Sequence, residues 1–527
     1  MSPRTAGAAA GVAAAAAALA LAELVAVATG PRTGPLVAVG GVVVDNSPEP
    51  VTEFAISVFG VHDKTALLAG TVILLAGFAA VLGGVVAPGG TRRLWIGAAG
   101  LAAFTAIGVA AALTRHDATG AAVLPTLSGA AAAVVTFGLL RRQSIMEVPR
   151  DPPRDPPDEV HDPSGTRPGA WVGGVGTRRG VLAAAAVVGG AALVGFGGRW
   201  FATQRDLSAA RAAVDLPVPV DPAPPVPAEA DLRLPDLASY VTGNDTFYRI
   251  DTALVVPRVN PDSWQLRIGG RVRNPFTIDF AELLSRPMVE RYVTLACVSN
   301  PVGGGLIGNA RWLGVPVAEL LAAAEPEPGA DQVVSRSVDG WTCGTPTAVL
   351  TDGRDALLAV GMNGQPLPLE HGFPVRMVVP GLYGYVSACK WITEIELTSF
   401  DDYDAYWVPR GWAAQAPIKT QSRIDTPGGR ASAGPVVVAG VAWAQHRGIS
   451  RVEVQVDGGA WHEAELADTV SADTWRQWSW RWEGAAAGEH QLAVRATDTT
   501  GQVQPPERSS AAPDGATGWH TVQVEVT

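Results

Sequence analysis

Five long apolar runs within the first 200 residues constrain this chain more than any other feature. They lie at Ala6–Ala28, Thr65–Ala87, Leu94–Leu113, Ala118–Leu140 and Val181–Gly197. Each is close to the ~20 residues a helix needs to cross a bilayer, the last being the shortest. A soluble surface helix carries a polar stripe; these runs carry almost no charge, and their many Gly and Ala residues allow close helix packing. Basic residues collect on the cytoplasmic side of a span. Arg92-Arg93, Arg141-Arg142 and Arg178-Arg179 all fall on one side if the N-terminus, with Arg4, is cytoplasmic. The expectation is a multi-pass protein with five spans, N-terminus inside and everything beyond the fifth span outside. Glu23 sits within the first run, where an ionisable group either serves a function or reaches the interface; its place near the helix end favours the interface.

A chain of 527 residues exceeds a single core. Its 47% hydrophobic residues fit membrane segments joined to a soluble part. The net charge of -11 argues against a nucleic-acid partner. None of the eight histidines lies in an apolar run, which argues against a bis-histidine haem within the membrane. The three cysteines, Cys297, Cys343 and Cys389, form no Cys-Xaa-Xaa-Cys, so neither an iron–sulfur cluster, a zinc ribbon nor covalent haem is expected. Glu147–Gly176 is a charged, Pro-rich linker without periodicity. Thr177-Arg178-Arg179-Gly180, ahead of the fifth run, looks like a twin-arginine export signal kept as an anchor; ordinary positive-inside flanking accounts for the same arginines. A second Pro-rich stretch, Leu216–Ala228, reads as a tether that gives the soluble part reach.

Within the soluble part, Val293–Ala296 is a short β-branched and apolar run ending at Cys297, before Ser299-Asn300-Pro301 and the glycines Gly303–Gly305. A thiol at a strand end over a flexible loop is placed to ligate a soft metal; a lone cysteine is also commonly a small buried hydrophobe. From Pro417 onward, Val436–Trp443, Ser450–Val456, Trp475–Trp482, His490–Ala496 and His520–Val526 alternate apolar and polar residues between Gly and Asp turns. That spacing predicts an immunoglobulin-like β-sandwich with a tryptophan-rich core or interface.

Cys297-Val298-Ser299-Asn300, Asn309-Ala310-Arg311-Trp312 and the long segment Met362–Trp391 (MNGQPLPLEHGFPVRMVVPGLYGYVSACKW) together resemble the sulfite oxidase family of molybdenum enzymes, from about Asn244 to the C-terminus. The resemblance implies an α+β molybdopterin-binding domain. In it, molybdenum is bound by one protein thiolate, Cys297, and by the dithiolene of one pyranopterin. It further implies that Phe247-Tyr248-Arg249-Ile250-Asp251 wraps the pterin, with Arg249 also facing the substrate and Asp251 standing where relatives have His. Asp339 matches a pterin contact. His371 and Arg376 match the phosphate-binding pair, His371 adding a donor, and Ala388-Cys389-Lys390 matches a further contact segment. Ile307–Arg311 matches a cofactor loop, with Arg311 either on the phosphate or capping the helix Val317–Ala324. Three departures stand out. Pro301 and Val302 replace arginines that help bind sulfite, Ser510–Gly515 lacks another anion-binding Arg, and Gly411 or Trp412 stands near a substrate-facing Tyr. The C-terminal segment is similar to a molybdenum-oxidoreductase dimerisation domain, which implies a homodimer.

The expected organisation is a four-helix membrane region at 1–145, a linker at 146–176, a fifth helix at 177–199 and a Pro-rich tether at 200–235. A molybdopterin domain at 236–412 and an immunoglobulin-like dimerisation domain at 413–527 complete it. The expected function is a membrane-anchored, extracytoplasmic oxidoreductase that transfers oxygen atoms to or from a small molecule other than sulfite, with electrons passing to or from a partner the sequence does not name. The alternative is a non-catalytic interaction protein with a decayed cofactor site. Cys343 and Cys389 are either bridged or two separate buried thiols.

Overall fold

A computed structural model describes residues 3–30, 33–48, 63–87, 89–114, 118–146 and 207–527, with a few single positions between them. The chain forms two compact units, one running to Asp206 with the short piece Ala253–Val255, the other holding the remainder from Leu207.

In the first unit, α1 (Pro3–Thr29), α2 (Pro35–Asn46), α3 (Asp63–Val86), α4 (Thr91–Leu113) and α5 (Leu124–Met146) follow one another. Four helices are long and apolar enough to cross a membrane, over Arg4–Thr29, Lys64–Val86, Thr91–Leu113 and Gly120–Arg141. Glycine sets how closely they approach. A Cβ on Gly83 would stand 2.2 Å from the Gly7 carbonyl oxygen, and one on Gly11 would stand 2.1 Å from that of Ala79, so only hydrogen fits between α1 and α3. Glu23 lies in the last third of α1. Its side chain is buried, with a carboxylate oxygen 2.5 Å from where a Cβ on Gly34 would lie, at the start of α2. The partial positive charge of a helix N-terminus is a favourable neighbour for that group. The linker Glu147–Gly176, the pair Arg178-Arg179 and the fifth run, two single positions apart, lie outside the described residues.

The second unit is built on sheets. One has the order β2-β1-β10-β5-β6, from β1 (Gln265–Gly270), β2 (Phe276–Asp279), β5 (Gln332–Ser337), β6 (Thr342–Pro346) and β10 (Ile392–Thr398). Another runs β3-β4-β7-β8, with β9 also on β7; these are β3 (Val289–Ala296), β4 (Ile307–Pro316), β7 (Leu357–Met362), β8 (Gln365–Pro366) and β9 (Arg376–Val378). Antiparallel pairing from Val289↔Gly314 to Ala296↔Ile307 fixes β3 against β4. Ile307–Arg311, expected as a loop, is therefore the start of a central strand. Its residues alternate across a sheet whose one face packs Phe247, Val293, Leu295, Ala310 and Trp312.

Toward the C-terminus, two further sheets enclose a core of Val438, Val452, Val454, Trp478, Leu492 and Val524. One joins Gln421–Thr426, Gly434–Trp443, Arg476–Ala485 and Glu465–Leu466; the other contains Ile449–Val456, Gly488–Asp498 and His520–Val526. The alternating runs read from sequence are these strands, to within a few residues. Trp443 and Trp475 belong to the larger core that also holds Trp264 and Ile395, so packing is continuous across residue 412.

Leu216–Ala228 is not a free spacer. Val220 N donates to Met288 O (2.8 Å), Glu290 N donates to Asp221 O (2.9 Å), and beyond it Leu232 N donates to Gln477 Oε1 (2.7 Å). An extended Pro-rich chain leaves its carbonyls and remaining N–H groups pointing outward, which lets it strap along a sheet edge. The strap ends at Tyr240, whose carbonyl accepts from Asn309 Nδ2 (2.9 Å) and Trp475 Nε1 (2.8 Å).

Candidate functional site

Strand β3 delivers Cys297 to the mouth of a closed loop. Cys297 N donates to Leu306 O (2.9 Å), and Asn300 Oδ1 accepts from Leu306 N (2.8 Å), so the two ends of the loop are tied. The thiol lies 3.0 Å from Ser299 Oγ. Burial pushes its pKa up, while Ser299 and the Lys390 ammonium pull it down. Gly303 has φ +79, and a Cβ there would stand 2.1 Å from the His520 ring. Arg423 donates to Gly304 O (2.9 Å) while paired with Asp425. The loop that carries Pro301 and Val302 is thus covered by side chains from the C-terminal sheets, and the guanidinium that bonds to it is already paired with a carboxylate.

Arg376 on β9 is buried. Its guanidinium donates to His371 O (3.2 Å), lies 5.0 Å from the Trp312 ring centre, and pairs with no carboxylate among the described residues. Burial lowers its pKa to about 10. A buried cation without a counter-charge is unfavourable unless an anion joins it. Lys390 Nζ pairs with Asp251 (2.7 Å) and donates to Glu370 O (3.2 Å); burial brings it down to about 8, against the pull of Asp251. Asp251 also accepts from Arg249 Nε (3.0 Å). The residue that replaces a histidine therefore joins the two cations expected to face cofactor and substrate.

His371 is tied to the start of the segment that holds Arg249 and Asp251. Its Nε2 donates to the Asn244 carbonyl (3.0 Å), and burial with Arg376 nearby pushes its pKa down to about 4. With Nε2 on that carbonyl, the ring pins the Asn244–Asp251 segment and leaves Nδ1 as its second polar atom. Phe247 is buried edge-on to Trp312 and His371 and against Gly308, where it serves the core. Tyr248 stacks on Phe247 (5.2 Å), its phenol held protonated by burial and by the Cys297 charge, with Arg376 nearby. Ile250 is exposed.

Asp339 is a turn residue that accepts from Trp341 N (3.2 Å) and faces Cys389 electrostatically. Ala388 N donates to Gly384 O (2.9 Å), and Met377 N donates to Cys389 O (2.8 Å), which locks this segment onto β9. Cys389 and Cys343 are neighbouring buried free thiols. Arg311 neither caps a helix nor enters the site; it pairs with Glu290 (3.2 Å).

The structure thus brings Cys297, Tyr248, Arg249, Asp251, His371, Arg376 and Lys390 together from three stretches of chain. Among the described residues no three or more His, Cys, Asp or Glu side chains converge on one point, so a metal at Cys297 would bring most of its ligands with it. One thiol and one buried guanidinium without a carboxylate partner among the described residues, both facing Tyr248, fit a metal carried on an anionic, phosphate-bearing organic ligand. Sequence reading missed Arg423, His520 and Lys419 as neighbours of the site, because each reaches it from an element distant in the chain, and it passed over Tyr383 within the motif Met362–Trp391.

Residues 253–407 match the model of the oxidoreductase molybdopterin binding domain, and residues 415–527 that of the Mo-co oxidoreductase dimerisation domain. Mitochondrial sulfite oxidase of Rattus norvegicus is 31% identical over 348 residues, covering 55% of this chain and 62% of that protein. Sulfite oxidase of Gallus gallus is 31% identical over 338 residues, covering 53% of this chain and 72% of that protein. The match therefore spans less than two thirds of the rat enzyme's length. Among solved structures, the sulfane dehydrogenase SoxCD from Paracoccus pantotrophus is similar, with TM-score 0.48 and 24% identity over 55% of this chain and 82% of that one.

Proposed function

The chain belongs to the sulfite oxidase family of molybdopterin-binding oxidoreductases, and from that premise we propose that it is a membrane-anchored, extracytoplasmic enzyme exchanging an oxygen atom with a neutral small molecule rather than with sulfite. The observation that carries this reading is the charge arrangement around one thiol. Arg376 is buried without a carboxylate partner among the described residues, while Arg249 and Lys390 are both tied to Asp251. The first supports a retained anionic cofactor and speaks against a decayed site. The second supports a substrate pocket with little net positive charge.

Cys297 would be the single protein ligand of molybdenum, losing its proton on binding, as thiol ligands do. Arg376 and Lys390 would hold the pterin phosphate, and Tyr248, Asp251, Asp339 and the Ala388–Lys390 backbone would line the pterin. When bound, the cofactor supplies two-electron oxygen-atom exchange. The protein's part is to orient it and to shape the pocket. Sulfite needs charged donors. Pro301 and Val302 supply none, Arg423 is spent on Asp425, and Lys419 Nζ is spent on Asp514 (2.8 Å). Each charged hydrogen bond is worth about 1.5–3 kcal/mol, so two missing ones lower sulfite efficiency by roughly several hundredfold or more.

For topology we favour spans with the N-terminus inside and the catalytic unit outside, from the positions of Arg92-Arg93, Arg141-Arg142 and Arg178-Arg179. The molybdopterin part would take 236–412. The C-terminal part, 413–527, would be an immunoglobulin-like sandwich through which two copies pair. Elemental analysis of the purified protein should give about one molybdenum per chain, and Cys297→Ser should abolish turnover with artificial carriers, since a hydroxyl is a poor ligand for a soft metal. Neutral sulfoxides or N-oxides should outperform sulfite. Absence of molybdenum, or efficient sulfite turnover, would defeat the corresponding half of the reading.

A further inference from the structure

We propose that Tyr383 is a specificity-determining residue whose phenol donates a hydrogen bond to the oxygen of a neutral oxide bound beside Cys297. The inference rests on the neutral-substrate reading above.

Tyr383 is buried in the turn between β9 and β10. Its backbone is fixed at both ends. Tyr383 N donates to Ala416 O (3.0 Å), and Val386 N donates to Tyr383 O (3.1 Å). The next residue, Gly384, lies against the strand end that presents the thiol, since a Cβ there would be 3.7 Å from Ala296 O. The phenol oxygen reaches the loop Ser510–Gly515, where a Cβ on Gly515 would stand 2.6 Å away. The ring thus stands between the Cys297 strand and the loop that lacks the family's anion-binding arginine.

Its hydroxyl accepts one long bond, from Lys419 N at 3.5 Å, and among the described residues nothing accepts its proton. Buried donors are normally satisfied, and an unused one on a ring packed next to the strand end that carries Cys297 invites a ligand acceptor. Tyr385, two residues on, shows the contrast: its hydroxyl is spent on Ala413 O at 2.6 Å. Lys419 cannot take over as the donor, because its ammonium is held by Asp514 and by Gly515 O (2.6 Å). Burial, with Cys297 and Asp514 adding to it, pushes the Tyr383 phenol up to about 12, so it stays protonated throughout the physiological range. A neutral O–H suits an uncharged S=O or N–O acceptor, whereas an oxyanion is better met by cations. The phenol keeps its proton throughout; its role is to hold the oxygen in place.

The test uses full-length holoenzyme, with tetramethylene sulfoxide as probe. Its dissociation constant for the oxidised protein is measured by calorimetry, and its KM with reduced methyl viologen; the reaction consumes two electrons and two protons and yields the sulfide and water. Tyr383→Phe should keep its molybdenum content and thermal midpoint. Its dissociation constant and KM should rise together by about three- to tenfold, with kcat little changed. Tyr385→Phe should lower the midpoint and leave the dissociation constant alone. Wild-type binding by Tyr383→Phe, an equal rise in Tyr385→Phe, or loss of molybdenum from Tyr383→Phe would each overturn the proposal. If the wild type ignores the sulfoxide and turns over sulfite, the substrate reading has failed; an unchanged sulfite KM in Tyr383→Phe then overturns the residue assignment separately.

Discussion

Asp251 places a carboxylate where the family has an imidazole, and its effect follows from charge alone: one buried anion holds two cations at 2.7 and 3.0 Å. Titration behaviour follows from burial first and from neighbouring charge second. His371 faces Arg376 and Lys390, with Glu370 as the opposing charge, and His520 faces Arg423 and Arg508 against Asp425. Both are pushed from an ordinary 6.5 down to about 4. Below pH 6.5 an unfolded chain therefore takes up protons that the folded chain refuses. The stability these two neutral rings contribute is fully present above pH 6.5 and is lost as pH falls through 4. Thermal midpoints recorded from pH 7 to 4 should decline across this window, and more shallowly in His520→Gln; an identical slope in that variant would show that His520 is protonated without penalty.

At the scale of the element, two helices and a strand turn on single positions. α1 and α3 meet backbone to backbone through Gly7, Gly11 and Gly83. Gly83→Leu pushes a side chain into the Gly7 carbonyl and should cost about 1–3 kcal/mol or more, as overpacking does; Gly70→Leu, with open space around it, should be near neutral. Resistance to detergent-induced unfolding, compared between the two variants, measures the difference. β3 is as demanding. Its register against β4 sets where Cys297 emerges, because slipping by one residue would turn every side chain to the opposite face.

For the molecule as a whole, the strap from Leu207 to Tyr240 binds residues far apart in sequence into one unit. Arg211 donates to Leu367 O (2.8 Å) and Pro366 O (2.7 Å), which removes it from easy protease access. Mild trypsin treatment should therefore leave a soluble fragment that still contains Arg211, and mass spectrometry of its N-terminus checks this; a fragment starting at Ala212 would mean the strap detaches readily. If the dimerisation domain acts as its family description implies, that fragment should sediment at twice its chain mass.

The sequence by itself determined the apolar helices, the strands toward the C-terminus and the thiol at a strand end. These follow from periodicity and composition, which act locally. Arg376 and Lys390 were legible for a related reason: they sit in one contiguous motif. What only the tertiary structure decided depends on partners distant in the chain. His371 finds the Asn244 carbonyl across 127 positions, which ties the Arg249–Asp251 segment to the motif that carries Arg376. Lys390 meets Asp251 across 139 positions, which sets the charge of the pocket. The Pro-rich stretch has the composition of a tether, yet free strand edges and Gln477 give its backbone partners, and so it straps. Composition states what a segment can do alone; which buried group meets which is settled only when distant segments exclude water together.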